Sequence, residues 1–159
     1  MLNIALVAHD ARKEELVEWV KYNHTLLMSH HLYATVTTAK LIKNIKIDGW
    51  YPFKDKVTAL RSGPLGGDAQ IGAMISEGNV DVLIFFCDNL IQQGHQNDIY
   101  GLTRLASLYN IAFATNRTTT DMILTSPLLT DENYIRILPT AIKNYEDRFN
   151  DKISGLDEQ

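Results

Sequence analysis

The feature of this sequence that most constrains its fold is the alternation of short apolar runs with helical patterns. "NIALVA" (3–8) and "DVLIFFC" (81–87) are continuous apolar runs, as is typical of parallel strands that are buried on both faces. Segments with apolar residues at helical spacing separate such runs. Repeated strand–helix alternation predicts a single three-layer, doubly wound α/β domain with a mostly parallel sheet.

Strands and helices can be assigned along the whole chain in this way. The predicted strands are 3–8, 31–36, 56–61, 81–87 and 111–116, and "YIRIL" (134–138) is consistent with an edge strand. Predicted helices begin at Asp10 and after Asp68 and cover 37–45 and 98–110, and a last helix, with Pro139 at its start, covers 140 to about 150. Residues 1–150 therefore form one predicted domain, and 151–159 are interpreted as a frayed tail.

Composition and charge exclude several classes of function. The net charge of −4 gives no electrostatic basis for binding nucleic acid or an anionic membrane. No apolar run approaches the roughly 20 residues of a membrane span, and the N-terminus lacks the basic region of a signal peptide. The single cysteine, Cys87, excludes an internal disulfide, and no cluster of ligands suggests a metal site. A cytoplasmic location is the expectation.

Polar residues concentrate where the predicted strands end. In a doubly wound fold, ligands bind beyond the carboxyl ends of the strands. Helix N-termini at these ends offer free N–H groups and partial positive charge, which suits an anion such as phosphate. Hydroxyl, glycine and lysine candidates for that role are Thr35, Thr37, Thr38, Ser62, Gly63 and Lys13. The alternative is that the threonines and serine only cap helices.

The stretch "RSGPLGGDAQIGAMISEG" (61–78) is richer in glycine than a plain strand-to-helix connection requires. It ends on one acid, Asp68, which is either a catalytic carboxylate or the N-cap of the next helix. His95 and Asp98, in the long loop after the fourth strand, could meet Asp68 across the crevice, although Asp98 is also a reasonable N-cap. Cys87 is interpreted as a small apolar filler rather than a nucleophile.

Several of these segments together resemble the methylglyoxal synthase family. The matching motifs, in order, are "IALVAHD", "LYATxTT", "SGPLGGDxQIGAxISEG", "DVLIFF", "ATN" and "SP", and the resemblance covers roughly residues 3–150. It implies a homohexameric, cofactor-free lyase of the same α/β fold. Such an enzyme converts dihydroxyacetone phosphate to methylglyoxal and inorganic phosphate, and phosphate is expected to inhibit it.

The resemblance also implies a role for each matching residue. The catalytic base falls on Asp68, and the other catalytic residues fall on His95 and Asp98. The base would remove a proton next to the carbonyl to give an enediolate, from which phosphate is eliminated. Substrate and phosphate contacts fall on His9, Lys13, Thr35, Thr37, Thr38, Ser62 and Gly63.

The sequence departs from the family pattern at three places, one of which is Asp88-Asn89-Leu90, where the family has "DPL". "ATVTTA" replaces the usual "ATGTTG", so that Val36 and Ala39 stand where the family has glycine. A β-branched residue resists a positive φ, so Val36 predicts either a different loop path or weaker phosphate binding. The loop at 94–98 lacks the family's two prolines, which predicts greater flexibility around His95.

Two other functions remain open from the sequence. One is a non-catalytic domain that binds a small phosphorylated ligand, like the regulatory domain of carbamoyl phosphate synthetases. The other is a receiver-type signalling domain, which needs an acidic pair after the first strand. "HD" at 9–10 supplies only one acid.

Overall fold

A five-stranded, all-parallel sheet forms the centre of the molecule. The structure is a computed structural model that describes residues 1–91, 94 and 96–154. The strands are β1 (Asn3–Ala8), β2 (His31–Thr35), β3 (Val57–Leu60), β4 (Val82–Phe86) and β5 (Ala112–Ala114). Their order is β3-β2-β1-β4-β5, so the direction of winding reverses between β1 and β4. That reversal is the switch point beside which this class of fold binds its ligands.

Helices follow the strands and cover both faces of the sheet. They are α1 (Lys13–Tyr22), α2 (His24–Leu27), α3 (Val36–Lys43), α4 (Gly67–Ser76), α5 (Gln96–Leu108), α6 (Arg117–Thr125) and α7 (Thr140–Ser154). Short 3₁₀ turns at Asp10–Arg12 and Gly63–Leu65 lead into α1 and α4. Among the described residues, no helix is long and apolar enough to cross a membrane.

Alternate residues of the central strand enter two separate cores. Ile4 and Leu6 of β1 pack on the face that α1, α3 and α6 cover, where Trp19 is fully buried. Ala5 and Val7 pack on the opposite face, which α4 and α5 cover. Strands buried on both faces explain the continuous apolar runs of the sequence. The prediction of a doubly wound, parallel α/β domain is confirmed.

The prediction of an edge strand at 134–138 is wrong. These residues form no strand, and Ile135 and Ile137 are 78% and 77% exposed. The neighbouring strand β5 is only three residues long and offers little edge for pairing. Side chains fix the segment instead, because Asn110 Nδ2 donates to the Ile137 carbonyl at 2.9 Å and Arg136 Nη1 lies 3.9 Å from Asp81 Oδ1. The last helix also continues to Ser154, beyond its predicted end.

Candidate active site

A cavity of about 640 Å³ opens at the carboxyl ends of β1, β2 and β4, beside the switch point. Eight of the ten residues predicted for the site line it: His9, Lys13, Thr35, Thr37, Ser62, Gly63, Asp68 and Asp98. The ninth, Thr38, does not line the cavity but is buried directly behind Thr35, which does. The tenth, His95, lies outside the described residues.

The glycine-rich stretch places Asp68 in this cavity. After the 3₁₀ turn, Gly66 adopts a left-handed conformation with φ +94°, which favours glycine. Gly67 then folds back against the preceding strand end, and its amide donates to the Ser62 carbonyl at 2.9 Å. Asp68 is the second residue of α4, only 2% exposed, and Gly66 rather than Asp68 occupies the N-cap. The capping interpretation of Asp68 is therefore wrong.

The hydroxyl groups at two other helix starts do not cap their helices. Thr35 and Ser62 occupy N-cap positions, but neither side chain makes a capping hydrogen bond. By contrast, Asn116 at the start of α6 does not line the cavity, and its Oδ1 accepts from the Thr119 amide at 3.0 Å. The difference favours the anion-binding interpretation of Thr35 and Ser62 over the capping one.

Val36 does not distort the threonine loop. It is the first residue of α3, and the positive-φ residues other than glycine in the described part of the chain are Asp48 and Asn110. The loop therefore requires no left-handed conformation at Val36, so the steric objection to a β-branched residue does not apply. Thr38 is fully buried behind this loop, where its hydroxyl accepts a hydrogen bond from Thr35 Oγ1 at 3.3 Å.

His9 is fixed in one orientation at the end of β1. Its Nδ1 accepts a hydrogen bond from the Asp88 backbone amide at 2.8 Å, and its ring packs edge-to-face on Phe85 with centroids 5.0 Å apart. The side chain is nearly buried. Because Nδ1 is an acceptor, the neutral ring carries its proton on Nε2.

Lys13 is the lysine that lines the cavity together with Thr35, Thr37 and Ser62, and its partner is Asp10. Lys13 Nζ donates to Asp10 Oδ1, and the side chains are 17% and 95% exposed. That hydrogen bond, together with the charge of Lys13, lowers the pKa of Asp10. Asp10 lines the cavity but was not predicted as a site residue, although its position beside His9 at the end of a strand was a usable signal.

α5 and β4 also contribute to the wall of the cavity. Asp98 is the third residue of α5, not its N-cap. Phe85 and Pro64 also line the cavity, and neither residue type marked them in the sequence as members of a site. The neighbouring Cys87 is buried, and burial raises the pKa of its thiol to about 11. This supports its interpretation as an apolar filler.

Three comparisons relate the chain to known proteins. Residues 15–115 match the family model of the MGS-like domain. The methylglyoxal synthase of Maridesulfovibrio salexigens is 49% identical over 137 residues, which cover 82% of this chain and 87% of that protein. The methylglyoxal synthase of Proteus mirabilis is 47% identical over 135 residues, which cover 85% of this chain and 84% of that protein.

A solved structure agrees with these relatives. The crystal structure of methylglyoxal synthase from Elizabethkingia anophelis NUHP1 superposes with a TM-score of 0.71, at 41% sequence identity and 80% coverage of both chains. The similarity in sequence extends over most of the chain, and the family model spans the ends of β2 and β4 beside the cavity. The chain therefore belongs to the methylglyoxal synthase family.

Proposed function

We propose that this enzyme converts dihydroxyacetone phosphate to methylglyoxal and inorganic phosphate, with Asp68 as the base that starts the reaction. One observation carries the assignment of roles: a buried carboxylate lies in the same cavity as the uncapped helix starts that suit a phosphate group. The reaction itself is inferred from the methylglyoxal synthases to which this chain is similar.

Asp68 would act on the hydroxymethyl carbon of the substrate. The carboxylate takes a proton from this carbon, and the electron pair of the C–H bond forms the C=C bond of an enediolate while the carbonyl oxygen gains negative charge. The enediolate then collapses: its terminal hydroxyl loses a proton and becomes an aldehyde, the double bond shifts, and the C–O bond to phosphate breaks. The released enolate takes up a proton on its terminal CH2 carbon and becomes methylglyoxal.

His9 would stabilise the charge that develops on the carbonyl oxygen. A neutral imidazole with its proton on Nε2 is a hydrogen-bond donor, and a donor fixed in advance costs no reorganisation in the transition state. We assign His95 and Asp98 to the same reaction through the family resemblance. Asp98 lines the cavity, and His95 lies outside the described residues.

The phosphate group would bind to the cation and the hydroxyl and N–H donors that line the cavity. Lys13 provides charge, Thr37 and Ser62 provide hydroxyls, and the first turn of α3 provides backbone N–H groups that lack an intrahelical acceptor. Gly63 has no side chain and allows close approach of the backbone. Thr38 would act from behind by fixing the hydroxyl of Thr35. We expect inorganic phosphate, as the product, to compete with the substrate for these donors.

We also propose that the chain works as a homohexamer in the cytoplasm. Exposed apolar side chains along 134–138, among them Ile135 and Ile137, support burial in an assembly. Light scattering should give six times the chain mass of 18.0 kDa. A mass equal to that of one chain would contradict the assembly.

The experiment that tests the function is turnover of dihydroxyacetone phosphate by the purified protein. Methylglyoxal and phosphate are measured separately and should appear in equal amounts, with a rate that added phosphate reduces. A folded protein that binds phosphate but releases no methylglyoxal would contradict the proposal and favour a binding domain.

A further inference from the structure

The peptide group between Cys87 and Asp88 makes hydrogen bonds with two side chains near the N-terminus, one at its carbonyl oxygen and one at its N–H. Its carbonyl oxygen accepts a hydrogen bond from Arg12 Nη1 at 2.9 Å. Its N–H, which belongs to Asp88, donates to His9 Nδ1 at 2.8 Å. We infer that Arg12 is a positioning residue for catalysis, because it clamps the peptide group that fixes the tautomer and orientation of His9.

Arg12 is itself held rigidly enough to act as a clamp. Its Nε donates to Glu15 Oε2 at 2.7 Å, and its guanidinium lies over the Phe86 ring, 5.8 Å from the centroid. Two different edges of the planar guanidinium are thereby used, one on Glu15 and one on Cys87. Lysine should reproduce the two contacts only in part, because its ammonium is a single point of charge on a flexible stem and lacks the fixed donor positions of the guanidinium.

The clamp acts on His9 through the peptide group. A hydrogen bond from a charged donor to a carbonyl oxygen polarises the peptide, and its N–H becomes a better donor. It also fixes the peptide plane, so that the Asp88 N–H points at Nδ1. Without Arg12, the peptide loses the hydrogen bond at its carbonyl oxygen and can turn its N–H away from Nδ1, and His9 can then place its proton on Nδ1 instead. The ring would then present a lone pair at Nε2 where the reaction needs a donor.

This inference rests on the proposed function for its effect on rate, but its central claim concerns the tautomer of His9. The tautomer can be read without turnover. Long-range ¹H–¹⁵N correlation spectra of protein labelled with [¹⁵N]histidine distinguish a protonated ring nitrogen from an unprotonated one. His9→Gln identifies the His9 signals. In the wild type, Nδ1 should be unprotonated and Nε2 protonated in the neutral ring.

Arg12→Ala should give a mixture of tautomers and lower kcat roughly tenfold or more, with a much smaller change in KM. Arg12→Lys should restore the tautomer and the rate only in part. Lys21→Ala removes a positive charge from an exposed position on α1 and serves as the matched control, with no effect on either readout.

The spectrum decides the inference even if the proposed reaction fails. A folded Arg12→Ala protein with an unchanged His9 tautomer, whatever its melting temperature, would overturn the inference and leave Arg12 a purely structural role. If Arg12→Ala does not fold, Arg12→Lys and Glu15→Gln provide the same test. A shifted tautomer in either variant supports the clamp, and wild-type tautomers in both overturn it.

Discussion

Gly67 lies so close to the strand end before it that a β-carbon at this position would be 2.1 Å from the Arg61 carbonyl oxygen. Real β-carbons do not approach backbone oxygen to this distance. Because Gly67 packs against Arg61, the chain folds back immediately before Asp68. This fold determines the residue at which α4 begins. The position of the proposed base therefore depends on the absence of a side chain one residue earlier.

Gly67→Ala should consequently damage both stability and activity. The added methyl group must push the backbone away from Arg61, which we expect to lower the free energy of unfolding by about 1–3 kcal/mol. The same shift moves Asp68, so kcat should fall by roughly tenfold or more. Urea denaturation and steady-state kinetics check the two effects.

Gly101→Ala is the matched control for this substitution. Gly101 lies within α5, and a β-carbon there would meet nothing within 4 Å. Alanine in a helix should be more stable than glycine by up to about 1 kcal/mol. If the free energy of unfolding of Gly67→Ala were as high as that of Gly101→Ala, the close approach of Gly67 to Arg61 would not determine the position of Asp68.

Lys13 should be needed for phosphate binding. Lys13→Met keeps the length of the side chain but removes its charge, so one charge-assisted hydrogen bond to phosphate is lost. We expect the inhibition constant of inorganic phosphate to rise about tenfold or more. Lys21→Met, at an exposed position on the same helix, controls for net charge. If the inhibition constant of phosphate were the same for Lys13→Met and Lys21→Met, phosphate would not bind at Lys13.

Cys87 should be unreactive in the folded protein. A thiol whose pKa is raised to about 11 by burial is thiolate about a hundredfold less often at pH 8 than an ordinary cysteine. At pH 8, iodoacetamide should therefore label Cys87 at least about a hundredfold more slowly in the native protein than in the urea-unfolded protein. Labelling at the same rate in both states would contradict the burial of Cys87.

His30 should make stability depend on pH. Burial, and to a smaller extent the positive charge of the N-terminus, lowers the pKa of His30 below its ordinary value of 6.5. Its Nδ1 accepts from the Leu2 amide at 3.3 Å, a bond that only the unprotonated nitrogen can make. The folded state therefore binds fewer protons than the unfolded state. This contribution to stability is complete above pH 6.5 and is lost as the pH falls through the lowered value.

His30→Asn tests this expectation, because the asparagine oxygen can accept from Leu2 but does not titrate. The loss of unfolding free energy between pH 7.5 and pH 5 should be smaller in this variant than in the wild type. His31→Asn, at the exposed neighbouring position, should leave the wild-type loss unchanged. An undiminished loss in His30→Asn would show that another group is responsible.

The sheet could be predicted from the sequence because its central strands are buried on both faces. Segments such as "DVLIFFC" contain little besides apolar residues, and this pattern has few other interpretations. The prediction of an edge strand at "YIRIL" (134–138) was wrong for a related reason. Alternating apolar residues indicate a strand only when a neighbouring strand pairs with it, and a local pattern does not reveal the neighbour.

Eight residues that line the cavity could also be predicted, since the carboxyl ends of parallel strands meet at one edge of a sheet. Their contacts could not be predicted. The clamp joins Arg12 to Cys87 and His9 to Asp88, pairs that are 75 and 79 residues apart in the sequence. The objection to Val36 likewise assumed a left-handed backbone, whereas the residue begins a right-handed helix. Backbone conformation at a strand-to-helix junction depends on where the helix starts, which sequence patterns locate poorly.

The central claim is that Asp68 removes the proton from carbon, and the most direct measurement compares kcat of the wild type with that of Asp68→Asn. Asparagine keeps the shape of the side chain but cannot accept the proton, so we expect kcat to fall by about 10²–10⁴-fold or more. Calorimetric titration with phosphate should show that the variant still binds the anion. A folded Asp68→Asn protein that turns over dihydroxyacetone phosphate within tenfold of the wild-type rate would contradict the account.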